Sequence, residues 1–124
     1  MDNESGKIQA QCHCGNIQIS VEKLTETITS CNCSICGKYA AVWAYYKPES
    51  VVITYREQNS EFYMWGDREL EFHHCTKCGC VTHYVTVEVG DGAIFALNTR
   101  MLDSELLKDI PVRYVDGASA PLRN

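Results

Sequence analysis

Eight cysteines stand out in this 124-residue sequence, and they fall in three short segments. These are Cys12-His13-Cys14-Gly15, Cys31-Asn32-Cys33-Ser34-Ile35-Cys36-Gly37 and Cys75-Thr76-Lys77-Cys78-Gly79-Cys80. Thiolates at this spacing suit zinc: one tight loop gives two ligands, and a second loop completes a tetrahedron at Zn–S distances of about 2.3 Å. A glycine follows a cysteine in each segment, where a positive φ lets the chain curl and aim N–H groups at sulfur. The competing reading is a disulfide framework of the kind small secreted domains use. Cys-X-Cys pairs are too close for ordinary disulfides, and Met1 to Lys7 lack the basic-then-apolar order of a secretory signal. The expected compartment is the cytoplasm, where thiols stay reduced and available to metal.

The middle segment supplies three sulfurs, Cys31, Cys33 and Cys36. The outer segments supply Cys12 and Cys14, then Cys75 and Cys78, enough for a closed four-sulfur site. Closed sites stabilise folds, whereas three protein ligands with an open position are the catalytic arrangement. Adding Cys80 to the middle trio gives instead two closed structural sites and no chemistry. Spacing leaves both arrangements open. A zinc with three thiolates is a weak Lewis acid and suits a soft fourth ligand, a substrate thiol held as thiolate. Lys38, Arg68 and Arg100 are candidate partners for carboxylates on such a thiol, although each alone reads as solvated surface charge. His13 reads as exposed, and His73 and His74 as strand-end residues with wet faces. His83 is the best histidine candidate for lining a pocket, although a structural role is commoner. Trp43, Tyr45, Tyr46, Trp65 and Tyr84 suit a pocket wall or a β core equally.

The elements that must position these loops are mostly strands. Ile17 to Val21 alternates, and Ala40 to Tyr46 is nearly continuously apolar, as in a strand buried on both faces. Pro48 separates it from Val51 to Tyr55. Phe62 to Trp65 and Leu70 to His73 flank a Gly66-Asp67 turn, and Val81 to Glu88 and Ala93 to Leu97 flank Gly90-Asp91-Gly92. Asp103 to Leu107 is the one helical stretch, with Asp103 as N-cap, and Val112 to Val115 is a last strand. The expected architecture is mainly β, one domain spanning 1–124. A net charge of −5 with 11 scattered basic residues argues against a nucleic-acid partner. No apolar run approaches the ~18 residues of a membrane helix, so no membrane partner is expected.

Taken together, Cys12-His-Cys14-Gly15, Cys31-X-Cys33-Ser-X-Cys36 and Phe72-His-His-Cys75-X-X-Cys78-Gly79 resemble the glutathione-dependent formaldehyde-activating enzyme family, which includes the centromere protein V group. Trp43-Ala-Tyr-Tyr46, Trp65-Gly66-Asp67-Arg68 and Asn98-Thr-Arg100-Met-Leu-Asp103 extend the resemblance to about residues 8–115. It implies the β-tent fold, small antiparallel sheets held by zinc–cysteine loops. It also implies a structural zinc on Cys12, Cys14, Cys75 and Cys78 and a second zinc, open and catalytic, on Cys31, Cys33 and Cys36. The implied activity joins glutathione to formaldehyde as S-(hydroxymethyl)glutathione, a carbon–sulfur lyase reaction. Cys80 departs from the pattern, since formaldehyde-activating members commonly have Thr there. Two alternatives remain, a non-catalytic zinc module and a thiol- or metal-handling protein that uses Cys80.

Overall fold

A computed structural model describes residues 7–119. Segments rich in β-branched and aromatic residues form ten strands: β1 (Ile8–Gln11), β2 (Ile17–Val21), β3 (Ile28–Cys31), β4 (Trp43–Tyr46), β5 (Val52–Tyr55), β6 (Glu61–Tyr63), β7 (Leu70–His74), β8 (Val81–Thr86), β9 (Phe95–Asn98) and β10 (Val112–Val115). One sheet has three strands in the order β1-β2-β5, and the other has seven in the order β10-β3-β4-β9-β8-β7-β6. Pairing is antiparallel except at one edge, where β10 runs parallel to β3 with Val115 beside Cys31. The expected mainly β class with antiparallel sheets stands, and this parallel edge is an addition to it.

The apolar run around Trp43 becomes β4 in the middle of the large sheet, paired with β9. All four residues of β9 are buried. Its alternating faces serve two cores: Phe95 and Leu97 join Ala10, Cys12, Ile17, Ile19 and Cys75, while Ala96 joins Cys33, Cys36, Trp43 and Phe72. Each core therefore contains cysteines from a metal-type loop. The loops are built into the hydrophobic centre rather than hung on its outside.

One expectation is refined and one changes. The helical stretch at Asp103 to Leu107 is a 3-10 turn over Ser104–Leu107, and Asp103 caps it as expected, its carboxylate accepting from the Glu105 N–H at 3.0 Å. The α-helix lies elsewhere: α1 (Ser34–Tyr39) carries Cys36, with Cys33 at its N-cap. It ends at Ala40 in the left-handed region, φ 55°, where the Arg100 guanidinium donates to the Ala40 carbonyl at 3.0 Å.

Replacing fully buried Leu97 by Ala should cost about 2–5 kcal/mol, because the cavity would open on the strand both cores share. Denaturant unfolding checks this, and a loss below about 1 kcal/mol would contradict the central place assigned to β9.

Candidate metal centre

Two knuckles of the same design build the first cluster. Cys12 to Gly15 turns between β1 and β2, with the Gly15 N–H donating to the Cys12 carbonyl at 3.0 Å. Cys75 to Gly79 turns between β7 and β8, with the Gly79 N–H donating to the Cys75 carbonyl at 2.8 Å. Both glycines sit at φ +83°, a conformation a Cβ would strain. Gly37, for which the same role was expected, lies within α1 and has no positive φ.

The four sulfurs of Cys12, Cys14, Cys75 and Cys78 lie within 4.8 Å of one another. Cys12 to Cys14 is 3.8 Å and Cys14 to Cys75 is 3.7 Å. A tetrahedron with 2.3 Å bonds has edges of about 3.8 Å, so the donor set fits zinc. Backbone N–H groups already point at these sulfurs: Ile17 to Cys12 and Lys77 to Cys75, both at 3.3 Å. Burial disfavours the Cys78 thiolate, yet the N–H groups of Cys80 and Cys14 and the neighbouring thiols bring its pKa down to about 6. Cys14 moves the other way: the Asn16 N–H pulls it down, but desolvation and the sulfurs of Cys75, Cys12 and Cys78 push it up to about 11. Divided protonation of this kind is what crowded sulfurs do without a cation.

Asn16 is a site residue that sequence reasoning missed. It is buried, and its Oδ1 accepts from the N–H of Glu57 at 2.8 Å and of Gln58 at 3.1 Å. Its Nδ2 donates to the Gln58 carbonyl at 2.8 Å and faces the Cys75 sulfur at 3.7 Å. One amide thus ties the loop after β5 to both knuckles. The only advance signal was its place directly after a knuckle glycine.

Cys31, Cys33 and Cys36 form the second cluster, also within 4.8 Å of one another, and no fourth Cys, His, Asp or Glu among the described residues joins it. Cys31 ends β3, while Cys33 and Cys36 are three apart at the start of α1, so they share a helix face. Burial opposes Cys33 ionisation, but the N–H groups of Cys36 and Ile35 and the neighbouring thiols outweigh it and lower its pKa. Burial pushes the Cys36 thiol up to about 12, although buried Trp43 donates its indole N–H to that sulfur at 3.4 Å. Trp43 was expected as core or wall; it is core and also a donor to sulfur. Three convergent soft donors with one side free fit zinc in an open arrangement.

Two features bound this trio. On one side Gly117 follows β10, and a Cβ there would collide with Cys31 Sγ. Asn32 holds this strap, donating to Asp116 Oδ1 at 3.1 Å and accepting from the Ala118 N–H at 2.9 Å. On the other side a slot of about 20 Å³ touches Cys33 between Ile35, Trp65, Leu70 and Phe72.

The remaining candidates sort themselves. Cys80 lies beside Cys78 and Cys12 with the His13 N–H directed at it, so it is not brought to the trio. His83 is packed inside the fold: it is 2% exposed, stacked between His73 at 4.6 Å and Phe95 at 4.8 Å, with Thr82 Oγ1 at 2.7 Å from Nδ1. Burial, with His73 nearby, lowers its pKa to about 3. His73 instead faces Ser60 and Glu71. His13 is exposed as expected, and His74 is half-buried at the end of β7. Lys38 lies on the last turn of α1, near the trio. Arg68 faces a different hollow, with Glu69, Thr86 and Glu88.

The chain matches the family model for the glutathione-dependent formaldehyde-activating enzyme over residues 7–113. It belongs to that family. A crystal structure of a Rhodobacter sphaeroides protein from structural genomics shares the fold, with TM-score 0.68 at 23% identity over 86% of this chain and 100% of that one. No curated protein matches the sequence. For a formaldehyde-activating family member, the asymmetry between a closed set of four sulfurs and a set of three beside a slot is the informative feature. No described helix is long and apolar enough to cross a membrane.

Two substitutions test this construction. Asn16→Ala orphans buried N–H and C=O groups and should lower stability by about 3 kcal/mol in denaturant unfolding. Gly117→Ala should lift the strap from Cys31, leaving the far-UV circular dichroism unchanged while iodoacetamide labels Cys31 faster and Cys75 no faster.

Proposed function

We propose that residues 1–124 form one zinc-binding unit with two ions. Cys12, Cys14, Cys75 and Cys78 hold a structural ion, and Cys31, Cys33 and Cys36 hold a second with one position left over. On this reading the protein makes and breaks the carbon–sulfur bond between a small thiol, glutathione or one like it, and formaldehyde or a related small aldehyde. This is carbon–sulfur lyase chemistry, suited to the reducing cytoplasm. The observation that carries the reading is the trio: three convergent sulfurs, no fourth donor among the described residues, and a slot that opens on Cys33.

Zinc bound there supplies a soft position at which an incoming sulfur is favoured as thiolate. The reaction needs no redox step. The thiol S–H and the carbonyl π bond break, a C–S bond forms, and the thiol proton ends on the former carbonyl oxygen; lysis is the reverse. The chain's own part is to hold three ligating sulfurs in place and keep water away. Trp43 offsets charge on Cys36 by donating to it. Ile35, Leu70 and Phe72 line the slot with apolar surface, and the slot admits a group about the size of one water, hence a one-carbon unit. A second reading, a binding module without catalysis, draws on the Gly117 strap, which closes one face of the trio.

Elemental analysis of protein purified without added metal should give about two zinc per chain. Cys33→Ser should stay folded with about one zinc. Cys12→Ser should unfold or precipitate, because it breaks the junction between loops 61 residues apart. Trp43 and Trp65 flank the trio, so glutathione should quench their fluorescence saturably in the wild type and not in Cys33→Ser. Two zinc without any quenching by glutathione or other thiols would favour the module.

A further inference from the structure

Beyond the slot at Cys33, the walls formed by Ile35 and Trp65 continue into a second cleft of about 270 Å³, lined by Ser34, Ile35, Lys38, Tyr39, Tyr63 and Trp65. Its chemistry is lopsided. Three of these six residues are aromatic, and a single side chain, Lys38, is charged. Tyr39 is braced from behind by Phe72, with ring centroids 5.7 Å apart. Tyr63 and Trp65 have no ring partner among the described residues, and Tyr63 is 55% exposed. Lys38 makes no hydrogen bond or ion pair among the described residues. Glutathione carries two carboxylates and an ammonium, and this cleft meets one carboxylate. Asp67, the charged residue of the inner slot, already accepts from the Glu69 N–H at 3.3 Å. The polar ends of glutathione would stay in water beside aromatic walls they do not cover.

We propose that this cleft selects thiols, and their aldehyde adducts, that carry an aromatic ring and a single carboxylate, with Tyr39, Tyr63 and Trp65 receiving the ring and Lys38 the carboxylate. This rests on the reading that the trio takes a thiol sulfur. The sulfur enters at Cys33, and the body of the ligand lies outward between Ile35 and Trp65. Ring burial against two unpartnered aromatics favours such a ligand over a flexible, zwitterionic one of similar reach. Lys38, being exposed, contributes less than the ring.

Calorimetric titration of the zinc-loaded protein with four thiols tests this. The thiols are 2-mercapto-3-phenylpropanoate, 2-phenylethanethiol without the carboxylate, 3-mercaptopropionate without the ring, and glutathione. The first should bind about tenfold tighter than glutathione or 3-mercaptopropionate. Tyr63→Ala should weaken it about fivefold and leave 3-mercaptopropionate unchanged, and Trp65→Ala should weaken it about fivefold more than it weakens 3-mercaptopropionate, with zinc content and circular dichroism as in wild type. Lys38→Gln should remove an advantage of about threefold over 2-phenylethanethiol. Glutathione binding as tightly as the aromatic thiol, or an aromatic preference that survives both aromatic-to-Ala changes, would overturn the inference and leave thiol binding at the trio standing. If no thiol binds, the trio takes no thiol sulfur and both readings fall.

Discussion

Mutual crowding of four sulfurs where two distant loops meet is the constraint on which this structure rests. Cys14 and Cys75 lie 3.7 Å apart although 61 positions separate them. Sulfurs at that distance cannot all ionise without a cation between them, and the opposed shifts of Cys78 and Cys14 express the conflict. A dication would resolve it, turning a local repulsion into a link between the first knuckle and the β7–β8 knuckle. The amide of Asn16 and the N–H groups of Ile17 and Lys77 are arranged before any metal arrives, so the fold prepares the cluster. Because Cys12 and Cys75 also belong to the core with Leu97, the link acts inside the hydrophobic core.

Legibility followed the physics of each signal. Knuckles could be read because Cys-X-Cys-Gly and Cys-X-X-Cys-Gly encode their own backbone turn: the glycine takes φ +83° and the sulfurs converge. Most strands could be read because pleating has period two. Helix α1 could not, because Ser34-Ile-Cys-Gly-Lys-Tyr39 is one turn and a half, has an interior glycine and shows no apolar period. Its reason for being helical is tertiary: Cys33 and Cys36 must share a face. The helical stretch at Ser104–Leu107 could be read from its Asp103 cap, but its 3-10 form could not, because Asp103 caps either form and four residues are too few for their pattern to choose. Parallel pairing of β10 with β3 leaves no trace in either strand alone, since register between distant segments is set by the whole sheet. Asn16 looks like a surface polar residue in sequence and His83 like a pocket-lining or structural one; only burial reveals that their hydrogen bonds and stacking are internal.

The two clusters differ in the way their surroundings close. Around the first, knuckle backbone and the Asn16 amide supply a donor from several directions, and all four ligand positions are filled by the chain. Around the second, one side is β10's trailing strap and another is the indole of Trp43, while Cys33 faces a slot. A site that served only stability would gain from a fourth sulfur, and Cys80 is not brought to the trio. It is turned instead toward Cys78 and Cys12. Among the described residues the trio thus stands without a fourth sulfur, while Cys80 lies with the other cluster.

What faces that free side is fixed by a turn under strain. Trp65 to Arg68 connects toward β7 with Gly66 at φ 64° and Arg68 at φ 60°, and the Arg68 N–H donates to the Trp65 carbonyl at 3.1 Å. A left-handed Arg is unfavourable by about 1 kcal/mol and persists only where neighbouring contacts determine the backbone. Here the contacts are Asp67 Oδ1, which accepts from the Glu69 N–H, and the Val87 N–H, which donates to the Glu69 carbonyl at 2.9 Å. The consequence is positional. The turn places Trp65 where, with Ile35, it lines both the slot at Cys33 and the outer cleft. The strained turn therefore sets where Trp65 stands, and with it one wall of the approach to Cys33.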